Sequence, residues 1–259
     1  MADREAVTLE LDGRIGIVRF NRPAAMNAVD DAVRHRLAGA LRQLDAGDQA
    51  DAIVLTGSGE RAFCAGQDLE ESAGITPANL AAWLNRQHAM YQAVRDVAKP
   101  IVAAINGTAV GAGFQMALMC DLRVAHPGVR MGQPEVRAGL ASIVGSYLMS
   151  LQIGHSLNQQ LSLTGELVSG ERAHALGLVN DLVPQDQVLA RAVQRAIELA
   201  AQPRTAVRLT KQRFRERTQP GFEEACSAGI RYQLECYSSG EPGRVMEQFL
   251  ARRQRKDDT

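Results

Sequence analysis

The run from Lys99 to Glu135 constrains this chain more than any other stretch. It opens K-P-I-V-A-A-I-N-G-T-A-V-G-A-G-F-Q-M-A-L-M-C-D and ends in G-Q-P-E, and a second turn, F-C-A-G-Q-D, lies at Phe63 to Asp68. In each, an apolar β-like run breaks into glycine-rich backbone and then enters a helix-like segment. Glycine at such a junction permits a tight turn and leaves N–H groups free at the helix N-terminus. Two such turns, brought together, form a pair of donors for one developing oxyanion. That points to carbonyl chemistry.

No charged residue occurs from Pro100 to Cys120, which superficially meets the length of a membrane helix. Pro100, Asn106, Gln115 and the glycines at 107, 111 and 113 count against that reading. A buried strand, a glycine turn and a buried helix account for the run, so no membrane partner is expected. Around it, Val7 to Glu10 and Ile15 to Phe20 alternate about Asp12-Gly13, an opening hairpin. Asp30 to Leu44 has helical spacing with an acidic start, and Ala52 to Thr56 is a short apolar strand. Pro77 to Val97 carries Leu80, Trp83, Leu84, Met90, Tyr91 and Val94 at helical intervals. The strand Ile101 to Ile105, the helix Phe114 to Cys120 and the strand Leu122 to Ala125 follow. This alternation is that of an α/β protein. After about Pro184 the strand signals stop. Asp186 to Ala201, Thr205 to Arg217 and Phe222 to Ser239 read as three helices, punctuated by Pro203, Pro220 and Gly221.

With 46% hydrophobic residues in 259, the chain can bury a full core, and its net charge of +0 gives no nucleic-acid surface. Lys99, Lys211 and Lys256 are the only lysines, so the positive charge is arginine, which suits phosphate but also follows from a general compositional bias. Cys64, Cys120, Cys226 and Cys236 are widely spaced, and no charged-then-apolar leader opens the chain. A cytoplasmic protein with free thiols is the expectation. Cys64 beside the first turn reads as a packed residue. The five histidines have no metal-ligand spacing, so no metal is expected.

These motifs resemble the crotonase superfamily, the enoyl-CoA hydratase/isomerase family. The likeness begins at N-R-P-A-A-M-N-A (Asn21 to Ala28) and passes through both glycine turns and G-Q-P-E. It ends in L-T-G-E-L-V-S-G-E-R-A-H-A-L-G-L-V-N (Leu163 to Asn180). Five motifs in family order cover nearly the whole chain. The resemblance implies a spiral of ββα repeats over residues 1–185, holding the acyl-CoA site. It also implies a C-terminal helical region, 186–259, that packs subunits into homotrimers or hexamers.

The resemblance further implies particular residues. The oxyanion donors are the amides of Gln67 and Ala112; only their N–H groups matter, although the Ala112 side chain crowds the approach. Of the two glutamates of family hydratases, the first position is Gln115 here and the second is Glu135. Glutamine can position a water molecule but exchanges no proton near neutral pH. A solvated carboxylate after Pro134 is the competing reading of Glu135. Ile143 stands where hydratases commonly have glycine near the catalytic water, and should narrow or redirect the pocket. Ser142 and Tyr147 are polar substitutes or helix packing. Ala25 and Met26 map to the pantetheine and adenine wall, and the backbone of Ala65 and Asp68 falls around the adenine. Arg252 and Arg253 are candidates for phosphate. No cofactor is expected beyond the CoA that the thioester substrate carries. The implied activity is enoyl-CoA hydration or isomerisation. A lyase, hydrolase or decarboxylase on the same oxyanion site, or a non-catalytic CoA binder, are the alternatives.

Overall fold

In the computed structural model, which describes residues 5–248, strands are paid out in pairs, one to each of two sheets. The hairpin β1 (Val7–Asp12) and β2 (Ile15–Phe20) precedes helix α1 (Asp31–Ala46). Then come β3 (Ala52–Gly57) with β4 (Ala62–Cys64), followed by α2 (Leu69–Ala73) and α3 (Leu80–Asp96). The next pair is β5 (Ile101–Ile105) with β6 (Thr108–Val110), followed by α4 (Ala112–Met119). The third is β7 (Leu122–Ala125) with β8 (Arg130–Gly132), followed by α5 (Val144–Ser150) and α6 (His155–Thr164). Strand β9 (Leu167–Ser169), α7 (Gly170–Ala175) and β10 (Asp181–Leu182) lead to α8 (Val188–Ala200) and α9 (Arg204–Ser239). The first strand of each pair joins a six-stranded sheet of order β1-β2-β3-β5-β7-β10, and the second joins a four-stranded sheet, β4-β6-β8-β9. This is the expected ββα spiral.

The unbroken apolar runs of β3 and β5 follow from burial on both faces, as in parallel sheets generally. Alternate residues serve different cores. Ile53, Leu55, Ile101, Ala103 and Ile105 face the main cluster inside the spiral. Val54, Val102 and Ala104 face a second cluster closed by Val188, Ala192 and Ala196 of α8. Helix α8 is therefore packed on the large sheet. Helix α1 starts where its acidic signal lies, with the Asp30 carboxylate accepting from Val33 N–H at 2.8 Å.

Two elements depart from the sequence reading. The second glycine turn contains β6, whose three residues pair with β4 and β8 and are too few to show a period. Helix α4 accordingly starts at Ala112. The larger correction is α9, which runs unbroken for 36 residues through Pro220 and Gly221. An interior proline costs a helix about 3 kcal/mol, and here tertiary contacts at the break offset it. Arg95 of α3 donates to Thr218 Oγ1 at 2.9 Å and stacks over Phe222, while Gln219 donates to Gln92 at 2.9 Å. Gly221 lets the Tyr147 ring lie on the helix, since a Cβ there would stand 2.7 Å from the ring. The Tyr147 hydroxyl donates to Thr218 O at 2.6 Å, so Tyr147 is packing.

Candidate active site

The two glycine turns meet. Gly66 (φ +96°) and Gly111 (φ +52°) both use backbone conformations that side chains disfavour. A Cβ built at Gly111 would lie 3.8 Å from Gly66 Cα and 3.3 Å from Glu135 Oε1. One point thus touches both turns and the carboxylate. The residues that follow, Gln67 and Ala112, line one cleft with Gln115 and Glu135. The backbone bonds around them go elsewhere: Val29 N–H donates to Gly66 O, Asp68 N–H to Val29 O and Gly111 N–H to Gly132 O. Among the described residues, no backbone hydrogen bond from the N–H groups of Gln67 or Ala112 is made across these turns. Ala112 is accommodated at the helix start. The position that tolerates no side chain is its neighbour Gly113, where a Cβ would meet Cys64 O at 2.1 Å. That contact presses α4 against the first turn and fixes the spacing of Gln67 and Ala112.

Glu135 is half-buried and faces the cleft, so it is not a solvated surface group. Burial raises its pKa from 4.5 to about 7, against the pull of its own backbone N–H. Two amides share the carboxylate. With its nitrogen turned to the carboxylate, Gln133 donates to Oε1 at 2.5 Å and Oε2 at 2.7 Å, and its oxygen accepts from Gln115 at 3.3 Å. Gln115 Nε2 also approaches Glu135 Oε1 at 3.4 Å. Both amides favour the charged carboxylate and so oppose the effect of burial. Gln133 is fully buried and wedged under α5, with Gly145 making room for it. Its place directly before Pro134 and Glu135 was a signal that sequence reasoning passed over.

The four residues assigned to CoA lie beside the cleft, outside its lining. Met26 (φ +53°) ends the short 3-10 turn Pro23–Ala25, and its carbonyl accepts from Ala65 N–H at 3.0 Å. Asn27 locks this segment by donating to Ser58 O at 3.0 Å and Ala62 O at 2.8 Å. The Asp68 side chain is spent on structure: it caps α2 through Glu70 and Glu71 N–H and pairs with Arg22 at 2.8 Å. Burial works to raise its pKa, but Arg22 and those N–H groups hold it below the usual value. Arg252 and Arg253 lie outside the described residues.

The opposite wall is helical. Trp83, Gln87 and His88 come from α3, Ser142 and Ile143 from the segment before α5, and Gln233 and Tyr237 from α9. Gln233 donates to Ala141 O at 2.7 Å, which ties α9 across the cleft. Burial lowers His88 to about 4, which keeps it neutral, and pushes the Cys64 thiol up to about 12, as expected of a packed residue. Among the described residues there is no group of three or more potential metal ligands and no helix long and apolar enough to cross a membrane.

The enoyl-CoA hydratase/isomerase family model matches residues 10–257. The chain belongs to that family. A probable enoyl-CoA hydratase of Mycobacterium tuberculosis is 34% identical over 236 residues, 91% of this chain and 89% of the relative. An (E)-benzylidenesuccinyl-CoA hydratase of Thauera aromatica is 35% identical over 207 residues, 80% of each. The crystal structure of an enoyl-CoA hydratase/isomerase from Mycobacterium paratuberculosis superposes with a TM-score of 0.86 at 25% identity, covering 96% of this chain and 100% of that one. The protein is therefore an acyl-CoA-processing enzyme of the hydratase/isomerase type. Gln115 and Ile143 both line the cleft.

Proposed function

We propose that this enzyme stabilises a thioester enolate between the N–H groups of Gln67 and Ala112 and moves the proton with Glu135. The observation that carries the reading is the single point at Gly111 from which Glu135 Oε1 is 3.3 Å and Gly66 Cα is 3.8 Å away. A carboxyl with a pKa near 7 is suited to take and return a proton at neutral pH. Gln115 orients that carboxylate, or a water beside it, without exchanging a proton. With one carboxylate at the reacting centre, double-bond isomerisation, or hydration of an unusual enoyl-CoA, is favoured over fast hydration of short straight chains. Coenzyme A enters only as part of the substrate, along the backbone of Ala25, Met26, Ala65 and Asp68.

In this reading residues 1–185 carry the glycine turns and Glu135, α9 adds Gln233 and Tyr237 to the same cleft, and residues 186–259 also mediate self-association as a homotrimer or hexamer in the cytoplasm. Exposed Leu209, Phe214 and Leu234 on α9 supply apolar surface for it. The test of the chemistry is a screen of enoyl-CoAs of varied length and aryl content with wild type and Glu135→Gln. Removing the general acid/base should lower kcat on the best substrate by about 10²–10⁴-fold, with acyl-CoA affinity within about tenfold. A variant keeping more than about a tenth of the wild-type kcat removes Glu135 from this role.

A further inference from the structure

The cleft carries polar atoms that the protein itself leaves without partners. Trp83 Nε1, both amide atoms of Gln87, Ser142 Oγ, and the Oε1 atoms of Gln233 and Gln67 are buried and have no hydrogen-bond partner in the protein. All five residues line the cleft that holds Glu135. Trp83 is 6% exposed and Gln87 2% exposed. Gln87 also lies close to the Tyr91 phenol, one helical turn on, and acts on it as a hydrogen-bonding side chain. Buried polar groups in folded proteins are almost always paired. Five such atoms on the helical wall and one on the facing turn, Gln67 Oε1, are the pattern of a site whose partners arrive with the ligand.

Their chemistry narrows the ligand. The Trp83 indole only donates, whereas Gln233 Oε1 and Gln67 Oε1 only accept, the Gln233 nitrogen being committed to Ala141 O. A single group that pairs both kinds would accept from one and donate to another. A hydroxyl does both; a carbonyl does only the first. An acidic acyl group fits poorly. The Arg34 guanidinium stacks on the Trp83 ring, 5.4 Å from its centroid, with Nη1 and Nη2 on Glu71, and is not among the residues that line the cleft. His88 is held neutral by burial. A carboxylate would meet Glu135 with no cation to offset it.

Resting on the acyl-CoA reading above, we infer that the acyl group bears an uncharged hydroxyl beyond the reacting carbons, bound by Trp83, Gln87, Ser142 and Gln233. These four then set specificity, and Glu135 sets the reaction. A plain alkyl chain would leave them dry and unpaired, and sites built for a hydroxyl discriminate strongly against its loss.

The experiment uses saturated acyl-CoAs, which are not converted to product, so that its outcome does not depend on turnover. Kd is measured by calorimetry for an alkyl acyl-CoA and for isomers of the same length carrying the hydroxyl at successive positions past the β-carbon. At least one hydroxyl isomer should bind about tenfold or more tightly than the alkyl chain. Gln87→Leu and Trp83→Phe, each checked for folding by thermal melting, should cut that ratio at least about threefold. Alkyl binding equal to or tighter than every hydroxyl isomer overturns the inference, and so does a ratio untouched by either folded variant. In both cases the role of Glu135 stands. If neither ligand class binds, the acyl-CoA reading fails and this inference with it.

Discussion

The two walls of the cleft are made of different material. The turn wall presents main-chain N–H groups at Gln67 and Ala112, held by backbone packed on backbone where Gly113 meets Cys64. The helical wall presents the side chains of Trp83, Gln87 and Gln233, from α3 and α9, two elements far apart in the sequence. The turn wall is indifferent to side-chain identity and intolerant of added volume; the helical wall is the reverse. The difference separates what a scaffold preserves from what it varies. Oxyanion donors placed by backbone serve any thioester, whereas the acyl group is read by side chains that can be exchanged without disturbing the donors.

The largest expected effect breaks the turn wall. Gly113→Ala would put a Cβ 2.1 Å from Cys64 O, a backbone atom that cannot swing aside. Overpacking of this kind costs about 3 kcal/mol, read as a lower denaturation midpoint together with loss of activity. A folded, active Gly113→Ala protein would show that the two turns are not locked together as described.

Next comes the junction of the two walls. Burial raises the Glu135 pKa from 4.5 to about 7, so the folded state holds the proton more tightly than the unfolded state does. Stability from this group is fully present below about pH 4.5 and is lost as pH rises through about 7. Glu135→Gln removes that dependence. It should make the protein more stable than wild type at pH 8, on the order of 1–3 kcal/mol, with the gain fading toward pH 4. The amide donors Gln133 and Gln115 pull toward the lower end of that range.

A smaller effect is expected at Gln115. Gln115→Glu is nearly isosteric and would bring a second carboxylate to the place where Nε2 now lies 3.4 Å from Glu135 Oε1. One apparent pKa of the pair should rise. Crotonyl-CoA hydration should gain at least about tenfold, or about 1.4 kcal/mol of barrier. An unchanged rate in a protein that still binds CoA would mean that Ile143 excludes the attacking water. Isomerisation would then be the sharper assignment.

How much of this was legible in the sequence follows the same division. The turn wall could be read because its requirements are local: Gly66, Gly111 and Gly113 mark the backbone conformations and close approaches directly. The spiral was legible through the family motifs, and its strand faces through apolar runs. The helical wall was legible only around Ser142 and Ile143, because Trp83 and Gln87 lie on α3 at spacings that equally describe core packing. Gln233 reaches the cleft only because α9 continues through Pro220, and local propensity argues for a break there. What carries α9 onward is a set of long-range contacts, Arg95 to Thr218 and Tyr147 to Thr218 O, that no window of sequence contains. Gln133 was hidden for a related reason: its importance lies in touching Glu135, two residues on, around a proline turn.

The central claim, that Glu135 moves a proton at a carbon whose charge the two amides hold, is tested most directly by deuterium wash-in. A bound saturated acyl-CoA in D₂O should exchange its α-hydrogen in the presence of wild type. Glu135→Gln should slow that exchange by about 100-fold or more, with Kd for the same ligand within about tenfold. Equal exchange rates in the two proteins, at matched occupancy, would contradict the account.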